Sequence, residues 1–450
     1  MTKENKSLRI AVIGAGASGL TISHYLQKNG YSDITVFERN ADAGGKVFSL
    51  QEEKTKTMLE FGAVWVPFAY TTVRSLIDEF NVELIDAPNT QLSLLNPAIT
   101  NQKYIRCMLS TINKYPNVKK YLQTTREKFS QTFAKPGFNF EIDEDLTLSF
   151  SEYLKKFDIE PLGAMFNPLD IGCGYGFPEE VPALYKLKFF DLVFRDVEMQ
   201  LNIENRDKDR QTKYVKKGYQ EIWKQVASRQ NIRFNYTLNH LRHWTDEQGE
   251  DKIGLTFNND QTELIFDRVF ISSTGDAINQ VLDTKSMKDE REVFKYVQTY
   301  PYYVTLFKAE NLNPEKLGVS LISENATNKK PGHPTILAAP CPHLDGNLFM
   351  SWSVSNYDLS DKEVENRLAS DIEKLGGTYK EKLIEKKWSN YFPHVKKDAL
   401  MDIDGKGKFY SVLNELQGKK GIYYAGGLLS FETVEHAASY GKYLIESKFR

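Results

Sequence analysis

Cysteine is scarce in this chain. Cys107, Cys173 and Cys341 stand far apart among 450 residues, and no CxxC occurs. An odd, scattered set argues against a disulfide framework and fits a reducing compartment, so the expected address is the cytoplasm. Long apolar runs are also missing. None approaches the ~20 residues that span a bilayer, and the opening MTKENKSLRI lacks the apolar h-region of a signal peptide. A soluble protein with no integral membrane segment and no cleaved leader is expected. Neither sign of charge is in excess, with 58 Lys plus Arg against 60 Asp plus Glu and a net charge of −2. No global field draws the chain to nucleic acid, which leaves a small molecule as the expected partner. The seven histidines are scattered, His240 and His243 forming the near pair, and Cys341 with His343 is isolated. Neither a metal site nor a Ser-His-Asp triad is expected from them.

Aromatic residues are plentiful, at 12% with 27 Phe and 24 Tyr, and aromatic surface suits both a core and the wall of a planar or apolar ligand site. The length allows two or three domains at roughly 150 residues each. The clearest local pattern comes first. LRIAVI at 8–13 reads as a strand, GAGASG follows, and Leu20 to Lys28 reads as a helix closed by Asn29-Gly30. Ile34 to Phe37 then reads as a second strand ending at Glu38, which completes a strand, helix, strand unit. From about Pro67 to Lys213 the pattern is mainly helical. Strand signatures return at 232–236, 253–257, 268–272, 302–307, 348–354 and 421–425, and a helix of roughly fifteen residues begins near Thr433.

Within the first unit, Gly14, Gly16 and Gly19 form GxGxxG, with Ala17 and Ser18 opening the helix. Such glycines allow a tight turn, close approach of a diphosphate and close packing of helix on strand, while the helix dipole faces the negative charge. Glu38 lies 19 residues after Gly19, where a carboxylate accepts the hydroxyls of an adenosine ribose. This pattern alone serves NAD as well as FAD.

Glu38-Arg39 followed by Gly44-Gly45-Lys46, and then Glu60-Phe61-Gly62-Ala63, resemble the ERxxxxGG(R/K) and D/E-x-G-A segments of the flavoprotein superfamily that includes amine oxidases and phytoene desaturases. Lys217 to Gln220, the segment ending around Leu238, and Tyr424-Ala425-Gly426-Gly427 continue the resemblance. It implies FAD as cofactor. It also implies a last helix whose amino terminus, at Thr433, Val434 and Glu435, faces the flavin pyrimidine. His436 stands where relatives often have Gly, which makes it a candidate contact.

Three further stretches, CGYGFPEEVPALYKLKFFDLVF from Cys173, WSNYFPHV from Trp388 and YYAGGLLSFETVEHAASYGKYLIESKF from Tyr423, resemble FAD-dependent polyunsaturated fatty acid double-bond isomerases of the linoleate isomerase kind. The implied reaction takes a hydride from an allylic carbon and returns it to another carbon. No catalytic side chain beyond the cofactor is then assigned. Phe166, Tyr175, Phe177, Phe189, Phe190 and Phe194 are the candidate walls of a substrate channel, and each serves equally well as core packing. A fatty acid carboxylate wants a cation at the channel mouth, for which Lys103 and Arg106 are the candidates.

Two other functions stay open at this point, a flavin-dependent oxidase and a flavin-stabilised binding protein. Many amine oxidases carry a lysine on a substrate-domain strand, whereas the equivalent Tyr300 to Phe307 here has lysine only beyond it, at Lys308. Likewise Gly427 replaces a common Glu. The expected fold is α/β, with a Rossmann-type FAD domain near 1–65, 214–285 and 392–450 interleaved with a substrate domain and helical cap at 66–213 and 286–391.

Overall fold

The computed structural model describes residues 6–86, 92–96, 99–103, 110–201, 212–258, 260–272, 276–340 and 347–450. Arg106, Cys107, Cys341 and His343 lie outside the described residues.

The strands Ile10–Ile13 and Ile34–Glu38 are buried at every position, as parallel strands covered on both faces must be. They sit at the centre of a five-stranded parallel sheet. Its order runs Ile422–Tyr424, Arg268–Ile271, Ile10–Ile13, Ile34–Glu38 and Ile232–Phe234. The helix Ala17–Lys28 follows the first strand and packs against the terminal helix Val434–Lys448. Beginning, middle and end of the chain therefore build one layer. A three-stranded antiparallel sheet, Leu238–Thr245, Asp251–Phe257 and Asp260–Phe266, adjoins it.

A seven-stranded sheet forms the second body, in the order Thr378–Val395, Val297–Glu310, Leu348–Val354, Pro334–Ala338, Val319–Ile322, Leu92–Asn96 and Ile99–Lys103. Its pairs are antiparallel except Val319–Ile322 with Leu92–Asn96. The helix Glu160–Gly172 lies on this sheet, and Pro116–Phe133, Phe150–Lys156 and Ala183–Leu201 surround it as a cap. Together these features give the α/β fold expected, a Rossmann-type layer combined with a substrate domain.

The structure departs from the expected elements in two places. The stretch from Pro67 to Lys213 is helical in the main, yet it contributes the strands Leu84–Asp86, Leu92–Asn96 and Ile99–Lys103. The 18-residue strand Thr378–Val395 runs across the boundary expected at 391/392. Its first half, TYKEKLIEK, is too charged to read as a strand. It lies at the edge of the sheet, where one side of each residue meets water.

Candidate functional site

The glycine loop is built around one close approach. A Cβ on Gly19 would collide with the carbonyl oxygen of Gly14 and stand 2.9 Å from Oγ of Ser272, so the helix reaches the strand end only with glycine there. Gly16 meets the second loop directly, since a Cβ on Gly45 (φ +62°) would lie 2.9 Å from Cα of Gly16. The N–H of Gly44 donates to the carbonyl of Ala15 at 2.9 Å. Residues 14–19 and 44–46, distant in sequence terms, thus form one glycine-lined cradle. The first turn of helix Ala17–Lys28 carries no acidic residue, and no side chain caps it. Its N–H groups and dipole remain available to a diphosphate.

Glu38 is buried at the end of its strand. Its Oε2 accepts from the N–H of Ala15 at 2.8 Å, and its Oε1 accepts from Asn40 N and Nδ2 at 2.9 and 2.8 Å. The carboxylate is held against the glycine loop with lone pairs remaining for ribose hydroxyls. Arg39 is exposed beside it. The segment 235–238 runs alongside, with the N–H of Tyr236 donating to the carbonyl of Glu38 at 2.8 Å. This places Leu238, half-buried at the start of its strand, on the same side as Glu38. A glycine cradle that any Cβ would fill, an uncapped helix end and a fixed carboxylate fit the ADP half of FAD.

The second loop is clamped from the middle of the chain. Nε2 of Gln220 donates to the carbonyl of Ala43 at 2.7 Å, and its Oε1 accepts from the N–H of Ser49 at 3.3 Å. Beside it, Glu60 accepts from Oγ of Ser49 at 2.5 Å and from the N–H of Tyr219 at 2.8 Å. Burial pushes the Glu60 carboxyl up to about 7. Gly62 packs against the carbonyl of Lys46, which leaves Ala63 partly buried at the core edge. Nε1 of Trp388 donates to the carbonyl of Phe61 at 2.8 Å and ties the second body to this segment.

Lys46 lies 2.6 Å from Oε1 of the buried Glu432, and its Nζ stands 5.4 Å from the ring centre of Tyr391. Burial raises the Glu432 carboxyl above its usual range, while Lys46 opposes that shift. Gly426 donates its N–H to Oγ of Ser18 at 3.2 Å, so the last strand closes on the first helix. Gly427 follows in a short helical turn, Gly427–Ser430.

Thr433 is the N-cap of the terminal helix, its Oγ1 accepting from the N–H of His436 at 3.2 Å, and Val434 is the first helical residue. Glu435 has a structural task at the neighbouring helix Thr71–Glu79. Its carboxylate accepts from the N–H groups of Thr72 and Val73 at 2.9 Å each and so caps that helix. The His436 ring is buried, with Nδ1 2.7 Å from Thr433 Oγ1 and Nε2 without a hydrogen-bond partner among the described residues.

The candidate aromatic walls divide into two groups. Tyr175 and Phe189 join Tyr391, Phe392 and Phe431, the Tyr175 ring lying 4.9, 6.2, 5.3 and 4.8 Å from those of Phe189, Tyr391, Phe392 and Phe431. This enclosure stands next to Lys46 and Glu432. Phe166 instead meets Phe190 at a tilt and Phe194 edge-on, at 4.2 and 5.0 Å, within the helical cap, and Phe190 lies 5.8 Å from Phe189, where the two groups touch. Phe177 is buried but takes part in neither stack.

A buried ion pair supports the enclosure. Lys186 and Asp170, both inaccessible to solvent, contact one another. Nζ of Lys186 also donates to the carbonyls of Tyr175 and Gly176 at 2.7 and 2.8 Å. Burial pushes both charged groups toward their neutral forms, and each opposes that for the other. In sequence these residues read as parts of amphipathic helices. Their pairing across 16 positions carries no spacing signal, and neither does that of Lys46 with Glu432. Lys308 is exposed and pairs with Glu381 at 2.6 Å, so the first lysine after Tyr300–Phe307 points away from this region.

The profile of the family described as flavin containing amine oxidoreductase matches residues 17–442. The L-amino-acid oxidase BmooLAAO-I of Bothrops moojeni is 30% identical over 162 residues, covering 33% of this chain and 31% of that protein. Mitochondrial protoporphyrinogen oxidase of Nicotiana tabacum is 34% identical over 103 residues, covering 23% and 18% respectively. The chain thus matches about a third or less of the length of these relatives. Among solved structures, the CLA-producing fatty acid isomerase from P. acnes superposes with a TM-score of 0.82 at 21% identity, over 99% of this chain and 100% of that one. Putrescine oxidase superposes with a TM-score of 0.67 at 15% identity, over 99% of each chain. At such identities these likenesses establish a shared fold.

Proposed function

Since the chain belongs to the family of flavin-containing amine oxidoreductases and uses FAD, we propose that it isomerises double bonds of a polyunsaturated fatty acid. The observation that carries this reading is the superposition on the P. acnes fatty acid isomerase along essentially the whole of both chains.

Bound FAD supplies a hydride acceptor and donor, so that a hydride removed from an allylic carbon returns to a different carbon with no net oxidation and no second substrate. The protein's contribution is alignment and exclusion of water. The enclosure of Tyr175, Phe189, Tyr391, Phe392 and Phe431 suits both tasks. Its ring faces offer apolar contact to an alkenyl chain and electrostatic support to positive charge developing on it. Lys186 fixes the backbone that carries Tyr175. The outward position of Lys308 favours this reading over an amine oxidase.

The test mixes the purified yellow protein with linoleate and follows ultraviolet absorption of conjugated double bonds together with peroxide. Conjugation without peroxide or oxygen uptake is the expected result. Peroxide with loss of linoleate would assign an oxidase instead. Silence in both channels would remove linoleate as a substrate.

A further inference from the structure

The helix Ala183–Leu201 places Lys188, Asp191, Leu192 and Arg195 at i, i+3, i+4 and i+7, on one face. That face looks toward the start of the terminal helix, across a cleft of ≈ 280 Å³ lined by Arg195, Lys135, Lys442 and His436 among others. We propose that this cleft binds the carboxylate of an acyl chain, with Arg195 as its charged partner and Nε2 of His436 as a second donor. The proposal rests on the fatty acid reading above and supplies the head-group site that reading requires.

Charge and hydrogen bonding both favour an anion. Three cations, Lys135, Arg195 and Lys442, line the cleft against two carboxylates, Glu435 and Glu446. Glu435 is already engaged by Thr72, Val73 and Ser439, and Glu446 lies 3.9 Å from Lys442. Nε of Arg195 faces Asp191 at 2.9 Å. The approach is an ion pair in which Nε makes no hydrogen bond among the described residues, and arginine offers a carboxylate its forked geometry.

His436 adds a polar atom with an unmet need. The hydroxyl of Thr433 accepts from the N–H of His436, so its own proton is best placed on Nδ1, 2.7 Å away. In the tautomer in which Nδ1 accepts from Thr433, the ring proton sits on Nε2, which is buried without a partner among the described residues. A buried donor in that state gains from any acceptor that reaches it. Burial, with Lys188 and Arg195 nearby, keeps the ring neutral, so it is a donor without charge. The cleft wall is fixed from below, because Nζ of Lys188 donates to the carbonyls of Phe133, Lys135 and Gly137 at 3.3, 3.3 and 3.1 Å.

Size indicates which part of a ligand belongs here. The cleft falls just under the ~300 Å³ at which sites for whole small molecules begin, so it holds a head group and the start of a chain. Phe133 also lines a narrow apolar slot with Phe190 and Phe194. Phe133 lines both, so the phenylalanines of the cap adjoin the polar cleft.

The experiment measures binding to the FAD-loaded protein of decanoate and decanol, saturated ligands that cannot be isomerised. The expected result is that wild type prefers the acid by about tenfold or more. Arg195→Gln removes that preference and leaves decanol affinity unchanged. Because Arg195→Gln also removes one cation from beside Asp191, Arg195→Lys is the second variant. It keeps the charge but not the fork, and retains part of the preference. Equal wild-type affinity for acid and alcohol would overturn the proposal, as would an undiminished preference in Arg195→Gln. Linoleate conjugation, followed on the same preparations, separates the two ideas. Conjugation by wild type with no role for Arg195 in decanoate binding sinks the head-group site alone. Arg195-dependent decanoate binding without conjugation sinks the isomerase reading alone.

Discussion

Lys46 is the counter-charge of Glu432 across 386 positions of sequence, with 2.6 Å between Nζ and Oε1. The other carboxylate oxygen fills the space that a Cβ on Gly427 would need, and it has no hydrogen-bond partner among the described residues. Glycine at 427 and acid at 432 therefore go together. Removing the cation strands a buried carboxylate, a change that costs about 3–5 kcal/mol for fully buried pairs. Lys46 is 31% exposed, so the lower end of that range is expected for Lys46→Ala. Adding Glu432→Gln to it should recover most of the loss in urea unfolding. If the double variant is no more stable than Lys46→Ala, the pair does not act as described.

Glu38 holds the loop and is the proposed ribose contact. Glu38→Ala removes the acceptor of the Ala15 N–H and of both Asn40 donors. It should weaken FAD binding by about ten- to a hundredfold, given about 1.5–3 kcal/mol for hydrogen bonds to a charged group. Titration of apoprotein with FAD, followed by flavin fluorescence, measures this, and unchanged affinity would remove Glu38 from the ribose site.

His394 sets an acid limit. It is fully buried and stacks on Phe392 at 4.8 Å, and burial pushes its imidazole down to about 4 from 6.5. Between those values the unfolded chain takes up a proton that the native state refuses. Stability is therefore constant above about 6.5 and falls as pH drops toward 4, by an amount on the order of 3 kcal/mol. His394→Phe should flatten this limb of the urea midpoint against pH. A wild-type midpoint independent of pH over the same window would contradict the assignment.

Tyr175 is expected to serve through its ring rather than its hydroxyl. On the proposed isomerase reading, Tyr175→Phe should convert linoleate at close to the wild-type kcat/KM, and Tyr175→Ala at a tenth of it or less, since about 1.4 kcal/mol of lost alignment is already tenfold. A Tyr175→Phe variant as impaired as the alanine variant would show that the hydroxyl takes part.

What the sequence discloses follows from range. The GxGxxG loop, its strand and Glu38 lie within thirty residues, and each answers to a local rule of turn, helix start or strand end, so the strand, glycine turn and helix of this unit were legible. The terminal helix was legible for the same reason, with Thr433 as its cap. Lys46–Glu432 and Lys186–Asp170 were not, because tertiary contact alone brings those charges together. The aromatic candidates were recognised by type and not by grouping. Tyr175 and Phe189 enter the enclosure with Tyr391 and Phe431, whereas Phe166, Phe190 and Phe194 turn into the cap, and helical spacing does not distinguish the two. The strand Thr378–Val395 escaped because an edge position lets charged residues alternate with half-buried ones.

The closing of Gly426 on Ser18 and of Glu432 on Lys46 has a consequence for biosynthesis. While the chain is being made, its amino-terminal strand, helix and glycine loop emerge early, but the fifth strand of their sheet and the counter-charge of Lys46 are still untranslated. Until those segments are made, the sheet lacks its last strand and Lys46 lacks its buried partner. A nascent chain that stalls before Ile422 leaves Arg268–Ile271 as an unpaired sheet edge on that side.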